Sequence, residues 1–213
     1  MEIRGEHTLN IQSISPSILI CHGNTDKIQI ALTYDAGFED SETEEILKVL
    51  RKHQIRCTFF MTGFWVNKFP KLANKIVSEG HEIGNHSFDH PDMRKIPYND
   101  MIKNIIDGEK AIYNITGIKT TLFREPFGHW NDEVLKAVGE AGYKYSIYWS
   151  IDPIDWALPP MQVIVNKVLC KAKNGAIVLM HIAGNNTAAA TDRIIENLEA
   201  RKYKLITVSE ILK

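Results

Sequence analysis

No two cysteines of the 213-residue chain have the C-x-x-C spacing of a zinc ribbon or redox motif, and three thiols (Cys21, Cys57, Cys170) are too few for a disulfide framework. At least one must stay unpaired within the chain, and buried free thiols are the expected state. No apolar run approaches the length of a membrane span, and residues 1–20 lack the basic-then-apolar order of a signal peptide, so the sequence reads as a soluble chain without a leader of its own. The mature part of an exported precursor would leave the same trace. An excess of one charge is also missing: 25 Lys and Arg stand against 26 Asp and Glu, with no basic stripe. That argues against nucleic acid as a partner and for a neutral or mildly polar substrate. Neither repeats nor linkers divide the chain, so one α/β domain is expected. Residues 1–26, polar and irregular with Pro16 and Gly23, read as an N-terminal lead-in, and residues 27–213 as the domain itself.

What the chain does have is histidine at metal-ligand spacing. In Gly84-Asn85-His86-Ser87-Phe88-Asp89-His90 two imidazoles lie four residues apart at the end of an expected strand. With eight histidines in the chain such a pair can arise by chance, so its surroundings decide its meaning. Lys27 to Tyr34 is apolar and β-branched enough for a buried strand, and it delivers Asp35 at its C-terminal end. A capping box of Ser41 and Glu44 opens a helix to about His53. Ile55–Met61 then reads as a strand, Pro70–Glu79 as a helix, Glu82–Asn85 as a strand, and 99–116 as a helix closed by Gly117. Thr121–Phe123 leads to Arg124; a helix from 132 to 141 precedes the strand Tyr145–Ser150, which opens onto Asp152 and Asp155. Pro160 starts a helix, Ala176–Met180 is a strand delivering His181, a helix covers about 191–200, and Leu205–Val208 is a last strand before a short helix. Seven such units predict a parallel, barrel-like α/β sheet of about seven strands. Asp35, His86, His90, Arg124, Asp152, Asp155 and His181 all fall just past strand C-termini, the face on which barrels build their sites.

Five segments in this order resemble the motifs of the polysaccharide deacetylases of the NodB-homology group, carbohydrate esterase family four: Thr33-Tyr34-Asp35-Ala36-Gly37, His86-Ser87-Phe88-Asp89-His90, Arg124-Glu125-Pro126-Phe127-Gly128, Asp152-Pro153-Ile154-Asp155-Trp156 and Leu179-Met180-His181. The resemblance covers about residues 27–208 and implies a single-domain distorted (β/α) barrel with about seven parallel strands. It implies Asp35 as general base, His181 as general acid, Arg124 and Asp155 as the residues that hold them, and His86 and His90 as ligands of a divalent metal, zinc first, with cobalt, nickel or manganese as alternatives. Phe127 would offer its backbone N–H to an oxyanion, and Trp156 and Leu179 would line the pocket for an acetyl methyl. Amide hydrolysis needs an activated water, a stabilised oxyanion and a protonated leaving amine, which is what such a set supplies.

One position departs from the pattern. Where the family places a second, metal-binding Asp, this chain has Ala36, which offers no donor, so a metal held by His86 and His90 alone is expected to be held weakly. Asp35 could turn ligand, or waters could complete the shell; Glu39, Asp89 and Glu125 are carboxylates near the motifs, but nothing in the sequence brings them to the ion. The resemblance implies a metal-dependent hydrolase that removes N-acetyl groups from the amino sugars of a chitin-like glycan or peptidoglycan, acting as a monomer in the cell envelope or outside the cell. The alternative is a catalytically impaired barrel that binds glycan. Of the four tryptophans, Trp156 and Trp130 have motif positions that suit sugar stacking, while Trp65 and Trp149 read as core. His129, beside the Arg124 loop, is a further candidate for substrate contact.

Overall fold

The structure, a computed structural model, describes residues 15–213. Among them eight strands form one parallel sheet: β1 (Ile18–Ile20), β2 (Gln29–Ala36), β3 (Thr58–Met61), β4 (Glu82–Asn85), β5 (Leu122–Phe123), β6 (Tyr145–Ile147), β7 (Ala176–His181) and β8 (Lys204–Leu205). Their order is β1-β6-β5-β4-β3-β2-β7, with β8 paired to the start of β2. The ends of that order meet. Ile151, just past β6, bridges Val178 of β7, and His22, just past β1, bridges Ala176. The sheet therefore curls into the distorted barrel that the sequence predicts.

The strands alternate sides as their period of two requires. Along β2, Ile30, Leu32, Tyr34 and Ala36 join the core beneath the helices, whereas Ala31, Thr33 and Asp35 take the other face. The helices are α1 (Thr43–Lys52), α2 (Gly63–Lys68), α3 (Pro70–Ser78), α4 (Tyr98–Thr116), α5 (Asp132–Glu140), α6 (Met161–Lys171), α7 (Thr187–Ala200) and α8 (Val208–Ile211). α1 buries Ile46, Leu47 and Leu50, and each such side chain contributes about 1.5–3 kcal/mol by leaving water. Ala31, Phe60, Leu122, Ile147 and Ile177 fill a second core with Val208 and Ile211 of α8, which thus stoppers the barrel at the end away from the strand C-termini.

Several local expectations are corrected. The lead-in is not wholly irregular: residues 1–14 lie outside the described part, but Ile18–Ile20 form β1, hydrogen-bonded along β6. Helix α2 was not expected; Thr62 caps it, its Oγ1 accepting from Trp65 N at 3.0 Å. α7 begins at Thr187 rather than near 191. The Ser41–Glu44 capping box does not form, because Glu44 turns to Lys75 and Asp40 accepts from the Thr43 N–H at 3.2 Å. A capping box closes instead on Thr207 and Glu210 at the start of α8. Of the three thiols, all free, only Cys57 is buried; Cys21 and Cys170 are exposed. Trp65 is core, as expected.

Candidate active site

Asp35 ends β2 facing Arg124, which enters from the end of β5. The guanidinium Nη1 donates to Asp35 Oδ1 at 2.7 Å and to Thr33 Oγ1 at 2.9 Å, and Nε donates to the Ile147 carbonyl at 2.9 Å. The Phe60 ring lies beneath it, 4.0 Å from the guanidinium carbon. Burial pushes the Asp35 carboxyl up, but the charge and hydrogen bond of Arg124, aided by His181, outweigh it and hold the group below its ordinary value.

The two histidines leave β4 on a loop that α4 supports. Gly108 of α4 comes so close that a Cβ there would stand 2.7 Å from the Ser87 carbonyl, so only glycine lets the helix back this loop. His86 Nδ1 meets the Arg124 carbonyl at 2.8 Å; the Nδ1–H donates, which leaves Nε2 as the lone-pair nitrogen, 3.5 Å from Asp35 Oδ2. The His90 ring lies 4.8 Å from that of His86, and its Nδ1 is buried without a partner. Burial, then the neighbouring His86, lowers the His90 pKa to about 3, and burial lowers that of His86 too, so both rings are neutral and fit to ligate. Two ligand atoms of one tetrahedral zinc stand about 3.3 Å apart, close to the separation of His86 Nε2 and Asp35 Oδ2. His86 Nε2 and Asp35 Oδ2 are therefore spaced as two donors of one divalent ion would be, with the neutral His90 ring beside them, although Asp35, His86 and His90 do not bring three donor atoms within 4.8 Å of one another.

Ala36 adds nothing to this donor set. It is wholly buried with Tyr34, Met61, Trp65 and Val66, on the face of β2 opposite Asp35. The nearby carboxylates are committed elsewhere. Glu39 pairs with Lys68 at 2.9 Å, Asp89 accepts from Asn104 at 2.6 Å, and Glu125 is buried against Ser146 at 2.6 Å. A convergent His-Asp-Glu cluster does exist among the described residues, at His53, Asp192 and Glu196, but Lys52 already bonds Asp192 there at 2.7 Å and makes it an ion-pair knot.

His181 completes the ring from β7. Asp155, wholly buried, accepts from His181 Nδ1, His181 N and Thr187 Oγ1, each at 2.8 Å. Burial works against the imidazolium, yet the Asp155 hydrogen bond and charge prevail and raise its pKa. Nε2 is the ring nitrogen left to the cleft. Phe127 sits at φ 60, a left-handed conformation costly for a bulky residue, with its exposed ring edge-on to His90 at 4.4 Å. Ser87, His90, Ile154 and Leu158 also have positive φ, so strain concentrates in the loops at this rim.

Asp35, His86, His90, Asp152 and His181 line one cleft of about 590 Å³, whose walls include Phe127, Trp156 and Leu179, while Arg124 and Asp155 stand buried behind Asp35 and His181. The strand-end residues Asp35, His86, His90, Arg124, Asp155 and His181 are thus brought together. His129 pairs with Asp92 at 3.1 Å, and Trp130, half exposed, is not among the lining residues. Trp149, expected in the core, lines the cleft, stacked on Tyr148 at 4.1 Å. Phe38 lines it too. No periodic or motif signal pointed to either, and only their places just past β6 and β2 could have.

A family model described as polysaccharide deacetylase matches residues 22–146. The chain is 40% identical over 194 residues to a peptidoglycan-N-acetylglucosamine deacetylase of Bacillus cereus, covering 89% of this chain and 90% of that one. It is 34% identical to the peptidoglycan-N-acetylmuramic acid deacetylase PdaA of Bacillus subtilis, over 89% of this chain and 73% of PdaA. Other curated relatives are longer, and the chain spans 38% of one from Listeria monocytogenes. Among solved structures it resembles a CE4 family pseudoenzyme from Bacillus anthracis, with a TM-score of 0.89 and 33% identity, over 93% of this chain and 70% of that one.

Proposed function

Because the chain belongs to the polysaccharide deacetylase family, we propose that it removes N-acetyl groups from the amino sugars of peptidoglycan with the help of a divalent metal ion. The observation that carries this reading is the cleft itself: a carboxylate kept ionised by a buried arginine, an imidazole whose pKa a buried aspartate raises, and two neutral histidines line the same space. His86 and His90 would hold the ion, with Asp35 Oδ2 3.5 Å from His86 Nε2, and when bound it would supply Lewis acidity toward the amide carbonyl and acidity to water.

The chain's own residues supply the rest. Asp35, kept a carboxylate by Arg124, accepts the proton of the attacking water as its oxygen bonds to the acetyl carbon. The Phe127 N–H donates to the oxygen that gains charge. His181 gives its Nε2 proton to the sugar nitrogen as the C–N bond breaks, leaving an amine and acetate, while Asp155 stabilises the imidazolium beforehand. Trp156 and Leu179 enclose the methyl group. The relatives' substrate points to the cell envelope as the place of action, and among the described residues no helix is long and apolar enough to cross a membrane.

A second reading is favoured by one observation: Ala36 lies in the core and leaves the metal without its usual carboxylate, and a pseudoenzyme is among the similar structures. In it the barrel binds glycan without turning it over. Acetate release from N-acetylglucosamine oligomers and peptidoglycan at saturating zinc separates the two. Wild type should be active and Asp35→Asn at least about 100-fold slower, as expected on losing a general base. A wild type that releases no acetate yet binds the oligomers in calorimetric titration would establish the impaired barrel.

A further inference from the structure

The hydroxyl of Thr187, the first residue of α7, does nothing for its own helix. Asn186 occupies the N-cap position without a side-chain cap, and the first turn is held from outside by Glu42, whose Oε2 accepts from Ala188 N at 2.8 Å. Glu42 N also donates to the Ile182 carbonyl at 3.0 Å, so one residue grips both ends of the segment between β7 and α7. Asn186 Nδ2 ties the same segment to the Pro159 carbonyl at 3.0 Å, beyond Asp155. Held in this way, the wholly buried Thr187 hydroxyl donates to Asp155 Oδ2 at 2.8 Å. His181 N donates to the same oxygen, and the His181 ring takes Oδ1. Gly184 keeps the place free, since a Cβ there would collide with Thr187 Oγ1. A residue that only filled space here could be valine, which has the same shape and no hydroxyl.

We propose that Thr187 is a positioning residue of the reaction: its hydroxyl fixes the rotation of the Asp155 carboxylate and thereby aims the His181 Nε2 proton at the leaving nitrogen. The role rests on the deacetylase reading above. A carboxylate turns easily about its bond to Cβ, so its plane is set by its partners. Without the hydroxyl, one lone pair of Oδ2 is left empty in a buried site, and the carboxylate can slide between the two His181 donors. The imidazole then loses the fixed angle on which proton transfer in the transition state depends. Only bonds whose leaving group needs a proton should feel this. An amide nitrogen does, whereas para-nitrophenolate departs from its acetate ester without one.

The test compares wild type, Thr187→Val, which keeps the shape and removes the hydroxyl, and Thr187→Ser, which keeps the hydroxyl. The substrates are the β-linked N-acetylglucosamine tetrasaccharide and para-nitrophenyl acetate, with zinc supplied. The ratio of amide to ester kcat should fall about tenfold in Thr187→Val, the scale of one hydrogen bond to a charged group, with KM for the tetrasaccharide unchanged, and Thr187→Ser should restore it. A constant ratio, an effect on KM alone, or a Thr187→Ser ratio as low as that of Thr187→Val overturns the assignment. A second readout needs no turnover. The downfield proton resonance of His181 Nδ1–H, identified by its loss in His181→Gln, should be sharp in wild type and Thr187→Ser and broadened by exchange with water in Thr187→Val. If wild type releases no acetate from the tetrasaccharide, it is the deacetylase reading that fails, and this resonance alone judges Thr187: one equally sharp in Thr187→Val, or missing from wild type, overturns the positioning role.

Discussion

Replacing Arg124 with methionine keeps most of the stem volume and removes the charge. In the native structure that charge is 1% exposed, bonded to a carboxylate that is 7% exposed. Breaking a buried ion pair from one side costs about 3–5 kcal/mol, because the remaining charge is left uncompensated. The Thr33 hydroxyl and the Ile147 carbonyl lose their donor as well, at about 1–3 kcal/mol each where no water replaces it. These costs overlap, and a total near 5 kcal/mol is expected at pH 7, against about 1 kcal/mol for an exposed pair. Denaturant unfolding of wild type, Arg124→Met, Asp35→Asn and the double variant measures it. The double variant should be more stable than the two single costs added together predict, by about 3 kcal/mol, since only Arg124→Met strands a buried carboxylate. The sign of the pH dependence is a second check. In wild type the Asp35 pKa is depressed, so its contribution is present above the unfolded pKa and is lost as pH falls through the folded one. Without Arg124 burial dominates and raises that pKa, so the variant loses stability as pH rises from 4 to 7 and its deficit against wild type widens. Turnover should drop far more than KM changes. A deficit below 1 kcal/mol, or one indifferent to pH, would refute the view that Arg124 exists to keep Asp35 charged.

Asp155→Asn removes the group that raises the His181 pKa, so the alkaline limb of the activity profile should move to lower pH; a limb that stays put would mean His181 is not the acid being titrated. Changing both His86 and His90 to Ala should abolish zinc uptake in calorimetric titration, and wild type should keep binding well below pH 6.5, the ordinary histidine value, because the His90 pKa is already near 3. Equal uptake by the double variant would place the ion elsewhere. Burial raises the Glu125 pKa to about 7, above its unfolded value, so its contribution is intact at acid pH and lost as pH rises toward and past 7. Glu125→Gln should therefore gain on wild type by about 3 kcal/mol between pH 4.5 and 8 in unfolding experiments, and parallel stability curves would show that the carboxyl is not buried in solution.

The strand ends were legible because apolar, β-branched runs such as Lys27–Tyr34 and Ala176–Met180 stop at a polar residue, Asp35 and His181, with a glycine two or three positions further on. That Asp35 meets Arg124, 89 residues away, was implied only by the family pattern. Short elements escaped. β1 has three residues and no room for an alternation to repeat, and α2 is hidden between a strand and Pro70, where the residue before a proline, Phe69, is pushed off helical geometry. Ser41 and Glu44 had the right spacing for a capping box, but spacing could not reveal that Lys75, from another helix, would take the Glu44 carboxylate. Trp149 read as core because a single aromatic past a strand carries no sign of which side it will face.

The short strand β1 has a bearing on how the domain can be cut. The family match begins at residue 22, whereas Ile18–Ile20 lie along β6 and the chain after them bridges β7. A protein trimmed to the matched start would keep every side chain of the cleft and lose the stave that closes the wall beside β6. The bared N–H and C=O groups of Tyr145–Ile147 would then form an open template for any passing strand, and intermolecular aggregation, rather than a damaged cleft, would be the mark of the shortened chain.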